Sequence, residues 1–349
     1  MEYLKGKGAQ INVANKFAQQ SIETEDFDGL DEELINEKPP IQIFNETPKK
    51  IISTNSSPDI GMNASINPYQ GCEHGCVYCY ARNSHEYWGF SAGLDFETKL
   101  IVKPNAPKLL ENEFLKASYK PRTIMLSGNT DCYQPIEKKF ELTRKLLRVF
   151  HKYQNPVGII TKNALVIRDI DLLKDLAANN LVQVIFSITS LDESLRQKLE
   201  PRTASATKKL KAMELLANEN IPVGVMNAPI IPGLNHHETP EILKSAASAG
   251  ASFASYTVVR LNGQIGKIFY DWLIKNFPDR AEKVWNQIQD LHGGNVNDTN
   301  FGRRVKGEGK TSEVIRRLFE VSKRKYFAER SFQPLDTTHF RKGGSYSLF

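Results

Sequence analysis

Three of the chain's four cysteines, Cys72, Cys76 and Cys79, fall within the run Gly71-Cys72-Glu73-His74-Gly75-Cys76-Val77-Tyr78-Cys79-Tyr80. No other feature constrains the fold as tightly, because a loop this short has to converge three thiols on one group. Three thiolates spaced C-x3-C-x2-C can grip three corners of a [4Fe–4S] cube and leave the fourth iron without a protein ligand. An open iron is a place for chemistry, whereas a cluster held by four thiolates only carries electrons. Gly71 and Gly75 allow the tight turn that such a cradle needs. Zinc is the competing reading. Structural zinc usually takes paired C-x2-C sets, of which no second copy exists here, although His74 or Cys132 can complete a four-ligand site. A disulfide framework does not suit four cysteines in 349 residues with three crowded together.

The C-x3-C-x-Tyr-C pattern, with its aromatic before the last cysteine, resembles the signature of the radical S-adenosylmethionine (SAM) superfamily. The words around it, Ser65-Ile66-Asn67-Pro68-Tyr69, Tyr80-Ala81-Arg82 and Asp95-Phe96-Glu97-Thr98-Lys99, resemble the branch related to spore photoproduct lyase. The likeness runs from about Ser57 to about Leu261. It implies that SAM chelates the open iron through its methionyl amino and carboxylate groups. It also implies that one electron from the reduced cluster, supplied by a donor such as flavodoxin or ferredoxin, splits SAM into methionine and a 5′-deoxyadenosyl radical. That radical abstracts hydrogen from a substrate.

Hydrophobic residues at 40% and charged residues at 25% are ordinary globular values and support a sizeable core. No apolar stretch approaches the roughly 18 to 20 residues of a membrane span. The sequence from Met1 to Lys7 lacks the apolar centre of a signal peptide, so a cytoplasmic location is expected. The net charge of +6 argues only weakly for a polyanionic partner.

Residues 1–60 read as an irregular N-terminal arm with an acidic patch between Glu23 and Glu33. Within it, Lys5-Gly6-Lys7-Gly8 reads as a solvated tail in preference to a phosphate contact. Residues 61–277 alternate short apolar runs (Thr123–Ser127, Val157–Thr161, Val182–Ile188, Pro222–Asn227, Phe253–Val259) with helical patterns. One such pattern is the stripe Ile136, Phe140, Thr143, Leu147 and Phe150. Strands separated by helices of ten or more residues pair in parallel. With the strand before the cysteine loop, they make about six units, hence a partial (β/α)6 parallel barrel, which is also the fold the resemblance implies. Chemistry in such sheets gathers at the strand C-terminal ends, where the cysteine loop lies. Residues 278–349 form a basic C-terminal extension: ten Lys or Arg against four Glu lie between residues 302 and 330. Its helix carries Ile315, Leu318, Phe319 and Ser322 on one face. Its charges are either a solvated surface or a phosphate contact.

The residues after each run are the candidate site. Asn129 and Thr130 follow the Thr123–Ser127 run, and the resemblance implies SAM binding there; Asp131 can equally cap the next helix. Lys162 follows an apolar run and suits a carboxylate at the mouth, which the resemblance identifies with the methionyl carboxylate. Ser187 matches a serine at the same cofactor. Tyr78 and Tyr80 can meet the adenosine or shield the cluster, and equally can pack beneath the loop. Arg202 can pair with a carboxylate or phosphate, or form a structural salt bridge. His236-His237 point to opposite sides and make a poor metal site. Cys132 is the departure. In spore photoproduct lyase a cysteine near this strand end donates hydrogen to the product radical. Here Gly128 stands at the corresponding place, so Cys132 is a catalytic candidate or a buried thiol. The expectation is a radical SAM enzyme whose substrate is open, with DNA or RNA as candidates. A zinc-stabilised nucleic-acid-binding module without catalysis and an iron–sulfur electron carrier are the alternatives.

Overall fold

Continuous apolar runs such as Val157–Thr161 and Val182–Ser187 bury both faces of a strand, which requires that both faces of the sheet be covered. A computed structural model describes residues 3–17, 40–59, 61, 63–330 and 333–344; the acidic patch between Glu23 and Glu33 lies outside them. Ten strands are present among the described residues: β1 (Gln42–Asn45), β2 (Ile52–Thr54), β3 (Ala64–Ile66), β4 (Tyr69–Gln70), β5 (Lys99–Val102), β6 (Ile124–Leu126), β7 (Val157–Thr161), β8 (Val182–Ser187), β9 (Val223–Ile230) and β10 (Phe253–Val258). The main sheet runs β10-β9-β8-β7-β6-β3-β2. Its six strands from β3 to β10 are parallel and adjacent in chain order, and β2 joins β3 antiparallel. This is the expected six-unit parallel sheet. A second sheet, β1-β5-β4, sits beside the cysteine loop.

Register explains how distant residues meet. β7 and β8 pair Thr161 with Phe186, so Lys162 and Ser187 emerge side by side at the same end. The β3–β6 pairing of Ile66 with Leu126 likewise brings the start of the cysteine segment next to Ser127 and Gly128.

The predicted stripe from Ile136 to Phe150 is two helices, Glu137–Phe140 and Leu142–Tyr153, because Glu141 between them is left-handed at φ 51°. The second helix buries Leu146, Leu147, Phe150 and Tyr153 in the main core, and Leu142 in a separate cluster with Tyr69 of β4 and Leu100 and Val102 of β5. The C-terminal helix Gly309–Phe327 buries Ser312, Ile315, Phe319, Ser322 and Phe327. It packs on the helix Thr239–Ser248 and on edge strand β10, with the Phe319 ring 4.4 Å from that of Tyr256.

The arm departs from the expected solvated start. Lys7, Gly8, Ala9 and Gln10 are buried. The Gly8 and Ala9 amides donate to Glu97 at 3.2 and 2.8 Å. A Cβ on Gly8 would come 1.6 Å from the Gly75 carbonyl oxygen, so only glycine permits this approach to the cysteine loop.

Candidate functional site

The cysteine loop leaves β4 and turns back over the strand ends through left-handed Gly71 (φ 73°) and Gly75 (φ 68°). Glu97 would meet a Cβ on Gly75 at 2.9 Å, so the second turn also depends on glycine. All four cysteines are free thiols. Cys72 and Cys76 are buried and Cys79 is half-buried, and all three belong to apolar clusters. Burial pushes the Cys76 thiol well up and Cys79 up to about 11, with neighbouring negative charge adding to the effect. Among the described residues no three His, Cys, Asp or Glu side chains converge on a single-ion position. Ligands on separate irons of a cube do not need to converge in that way.

Directly beside the loop, the ends of β7, β8 and β9 build a polar knot. Lys162 donates from Nζ to Ser187 Oγ at 2.8 Å, Thr189 Oγ1 at 3.0 Å and the Ala228 carbonyl at 3.3 Å. It also forms an ion pair with Glu200 at 2.9 Å. Glu200 is fully buried, accepts from the Tyr78 hydroxyl at 2.8 Å and lies 3.7 Å from the Cys76 sulfur. Lys209, also fully buried, stands 3.9 Å from its other oxygen and donates to the Ser187 carbonyl. Burial opposes the Glu200 charge, but the two lysines outweigh it and hold the carboxyl down at about 2. Burial opposes the Lys162 cation as well, and Glu200 overrides it and raises the ammonium. For Lys209 burial wins and the ammonium falls to about 8.

The knot holds two lysines and one carboxylate. A buried carboxylate between a buried and a partly exposed ammonium group leaves one positive charge in excess, which favours an incoming carboxylate. Glu200 Oε1 has no hydrogen-bond partner among the described residues, so the knot is incompletely satisfied as it stands.

Other candidates take different positions. Asn129 is half-buried and donates to Gln70 and Ser84, while its amide donates to Asn67 at 2.7 Å. Thr130 is buried and donates to the Tyr69 carbonyl at 2.6 Å, so it braces the loop from behind. Tyr80, 51% exposed, donates to the Gly128 carbonyl at 2.6 Å. Arg202 does not join the knot; it pairs with Glu73 at 2.8 Å and ties down the cysteine loop. Cys132 is fully buried in the apolar core, and burial pushes its thiol well up. That environment is a packing position rather than an exposed donor at the mouth.

Sequence reasoning overlooked Thr189, Glu200 and Lys209 as parts of the site, and weighed His74 only as a fourth ligand for zinc. The buried His74 ring lies 3.4 Å from Asp131. Burial would lower its imidazole, but negative charge at Cys72 and Asp131 raises it to about 10. A local signal existed for Glu200, in the stretch Glu200-Pro201-Arg202. Lys209 reads as one more solvent-facing lysine of its helix.

An open parallel sheet with a three-cysteine loop and a lysine–carboxylate knot at its C-terminal edge defines an α/β protein with a cysteine-lined site. The family model described as the radical SAM superfamily matches residues 66–246, and this chain belongs to that superfamily. An uncharacterized protein of Mycobacterium tuberculosis is 31% identical over 63% of this chain; the match spans 65%, less than two thirds, of that relative's length. An uncharacterized protein of Methanocaldococcus jannaschii is 30% identical over 71% of this chain and 88% of its own. Among solved structures, spore photoproduct lyase with bound AdoMet and dinucleoside spore photoproduct superposes with a TM-score of 0.59. The match has 15% identity and covers 82% of this chain and 79% of that one. At that identity the likeness concerns the fold.

Proposed function

We propose that this protein is a radical SAM enzyme that holds a [4Fe–4S] cluster on Cys72, Cys76 and Cys79 and binds SAM beside it. The observation that carries this reading is the juxtaposition of a three-thiol loop with the Lys162–Glu200–Lys209 knot. The donor set fits. Three free thiols share one glycine-turned loop, and the excess positive charge next to it suits the carboxylate of an amino-acid cofactor. Bound together, the two cofactors supply reductive cleavage of a sulfonium and a carbon radical that takes hydrogen from a substrate.

The protein's own side chains prepare the place for that chemistry. Lys162 presents a fixed ammonium, held by Ser187, Thr189 and the Ala228 carbonyl. Tyr78 bridges Glu200 and Thr189, so the knot is tied to the residue before Cys79. Burial of the Cys72–Cys76 segment beneath the arm keeps water from the thiols.

The test is anaerobic reconstitution with iron and sulfide. Cys72→Ala, Cys76→Ala and Cys79→Ala should each lose the visible iron–sulfur chromophore, while Cys132→Ala should keep it. Lys162→Ala should retain the chromophore and weaken SAM binding about tenfold or more, read by the change in the cluster's spin resonance on SAM addition. Loss of the cluster in Cys132→Ala would favour the electron carrier. Zinc in place of iron in protein purified without oxygen would favour the non-catalytic module.

A further inference from the structure

At the C-terminal end of β10, Arg260 stands between two buried residues, Val259 and Leu261, and its backbone position is fixed on both sides. The Val259 amide donates to the Ile230 carbonyl, and the Leu261 amide to the Val296 carbonyl. Its guanidinium is half-buried and makes no hydrogen bond or ion pair with any described residue. Other arginines of the loops around the strand ends are engaged. Arg82 pairs with Glu97, Arg202 with Glu73, Arg303 with Asp298 and Glu308, and Arg304 with Asp59. Asp59 and Asp298, the carboxylates whose charge reaches Arg260, are each in direct contact with one of these other arginines. Arg260 is therefore a surplus cation, and burial together with the neighbouring Arg304 charge disfavours it as it stands.

The group faces a pocket of about 350 Å³ lined by Asn55, Ser57, Arg260, Phe301 and Arg304. Ser57 and Asn55 add small polar side chains. The Phe301 ring is 61% exposed, an unusual state for a phenylalanine, with the Arg304 guanidinium 4.6 Å from its centre. The strand end that carries Arg260 is linked to the cysteine segment. The charge of Arg260 acts on Tyr80, the residue after Cys79, and the turn after β10 is bonded to the same segment through Asn83 and the Asn262 carbonyl at 2.8 Å.

We infer that this pocket is a substrate subsite, in which Arg260 binds an anionic group, phosphate or carboxylate, and Phe301 stacks on a planar ring of the same molecule. A guanidinium presents a flat fork of donors that matches either anion in two parallel hydrogen bonds. An anion there would neutralise the surplus cation. The inference rests on the proposed radical SAM reading for what happens to that substrate, and on the pocket alone for the binding.

The test is calorimetric titration of the full, cluster-loaded chain at low ionic strength with inorganic phosphate, phenyl phosphate and benzoate. At least one ring-bearing anion should bind, and more tightly than inorganic phosphate. Preference for phenyl phosphate would assign a phosphate-bearing substrate, and preference for benzoate a carboxylate. Arg260→Gln should weaken that binding at least tenfold, and Arg260→Lys, which keeps the charge, by less. Phe301→Ala should weaken the ring-bearing anions without changing inorganic phosphate. Absence of binding by all three anions, equal binding by Arg260→Gln, or indifference of phenyl phosphate and benzoate to Phe301→Ala would each overturn the site. Iron content is measured on the same samples. A wild-type chain that takes up no iron yet binds anions through Arg260 would sink the enzyme reading and leave the subsite standing.

Discussion

An imidazole packed between aromatic rings has to stay neutral to stay dry, and His85 is held in this way. Its ring centre lies 5.2 Å from Phe90 and 5.5 Å from Phe96, and the side chain is buried. Burial lowers its imidazole to about 4, against the opposing pull of the Asp95 carboxylate. The sign follows from proton counting: between pH 6.5 and about 4 the unfolded chain binds the proton and the folded chain does not. His85 therefore contributes stability above pH 6.5 that is lost as the pH falls toward 4. In urea unfolding at equal iron content, wild type should lose up to about 3 kcal/mol more across this window than His85→Leu. Parallel pH profiles for the two proteins would show that another group sets the acid limit. Lys209 belongs to the same scale, since a fully buried lysine in a helix is costly unless a carboxylate needs it. Its 3.9 Å distance from Glu200 supplies that need.

Between elements, a fully buried ion pair helps to hold the cysteine loop. Arg82 and Glu97 are both fully buried and 2.6 Å apart. Arg82 also donates to the carbonyls of Cys76, Ala92 and Gly93, and Glu97 accepts the Gly8 and Ala9 amides of the arm. Removing one partner of such a pair strands the other without solvent, at a cost of about 3 to 5 kcal/mol. Glu97→Gln should accordingly lower the unfolding midpoint and speed hydrogen exchange in residues 3–17 before that of β7 and β8. Unchanged exchange in the arm would show that other contacts hold it. The words Tyr80-Ala81-Arg82 and Asp95-Phe96-Glu97 were legible as a resemblance, and this pair is their physical content. The parallel strands were equally legible, because β7, β8 and β10 are apolar runs closed off by helical periodicity. The arm's burial was not. Lys5-Gly6-Lys7-Gly8 looks solvated by composition, and only the 89-residue separation bridged by Gly8 and Glu97 turns it inward. The Lys162–Glu200 contact escaped for the same reason: sheet register beyond one hairpin is not written in local pattern. The short strand β5 lay hidden in a segment too brief to show a period.

Across the whole molecule, the basic excess of the C-terminal extension divides into engaged and free charge. In the loop, Arg303 is engaged by Asp298 and Glu308, and Arg304 by Asp59 and Ser57. Lys306 donates to the Tyr256 carbonyl and lies 3.7 Å from that ring. These groups fasten the extension to the arm and to β10 and already have partners. The helix Gly309–Phe327 is different. Lys310, Arg317 and Arg324 recur every seven residues on the side opposite the buried face, and Arg316 and Lys323, also seven apart, are exposed along its border. Only Arg316 has an intrahelical acidic partner, Glu320 at 3.8 Å. A stripe of this kind gains affinity for a nucleic acid by releasing condensed counterions, so binding should fall steeply with salt. The Lys310→Gln, Arg317→Gln, Arg324→Gln triple variant should flatten the log–log salt slope on duplex DNA by about 0.9 for each phosphate no longer neutralised. Neutralising Arg303 and Arg304 should instead lower the unfolding midpoint and leave that slope unchanged. A slope insensitive to the helix variant but reduced by the loop variant would reverse the assignment and return phosphate binding to the loop. Absence of any binding at low salt would make the stripe a solvated surface.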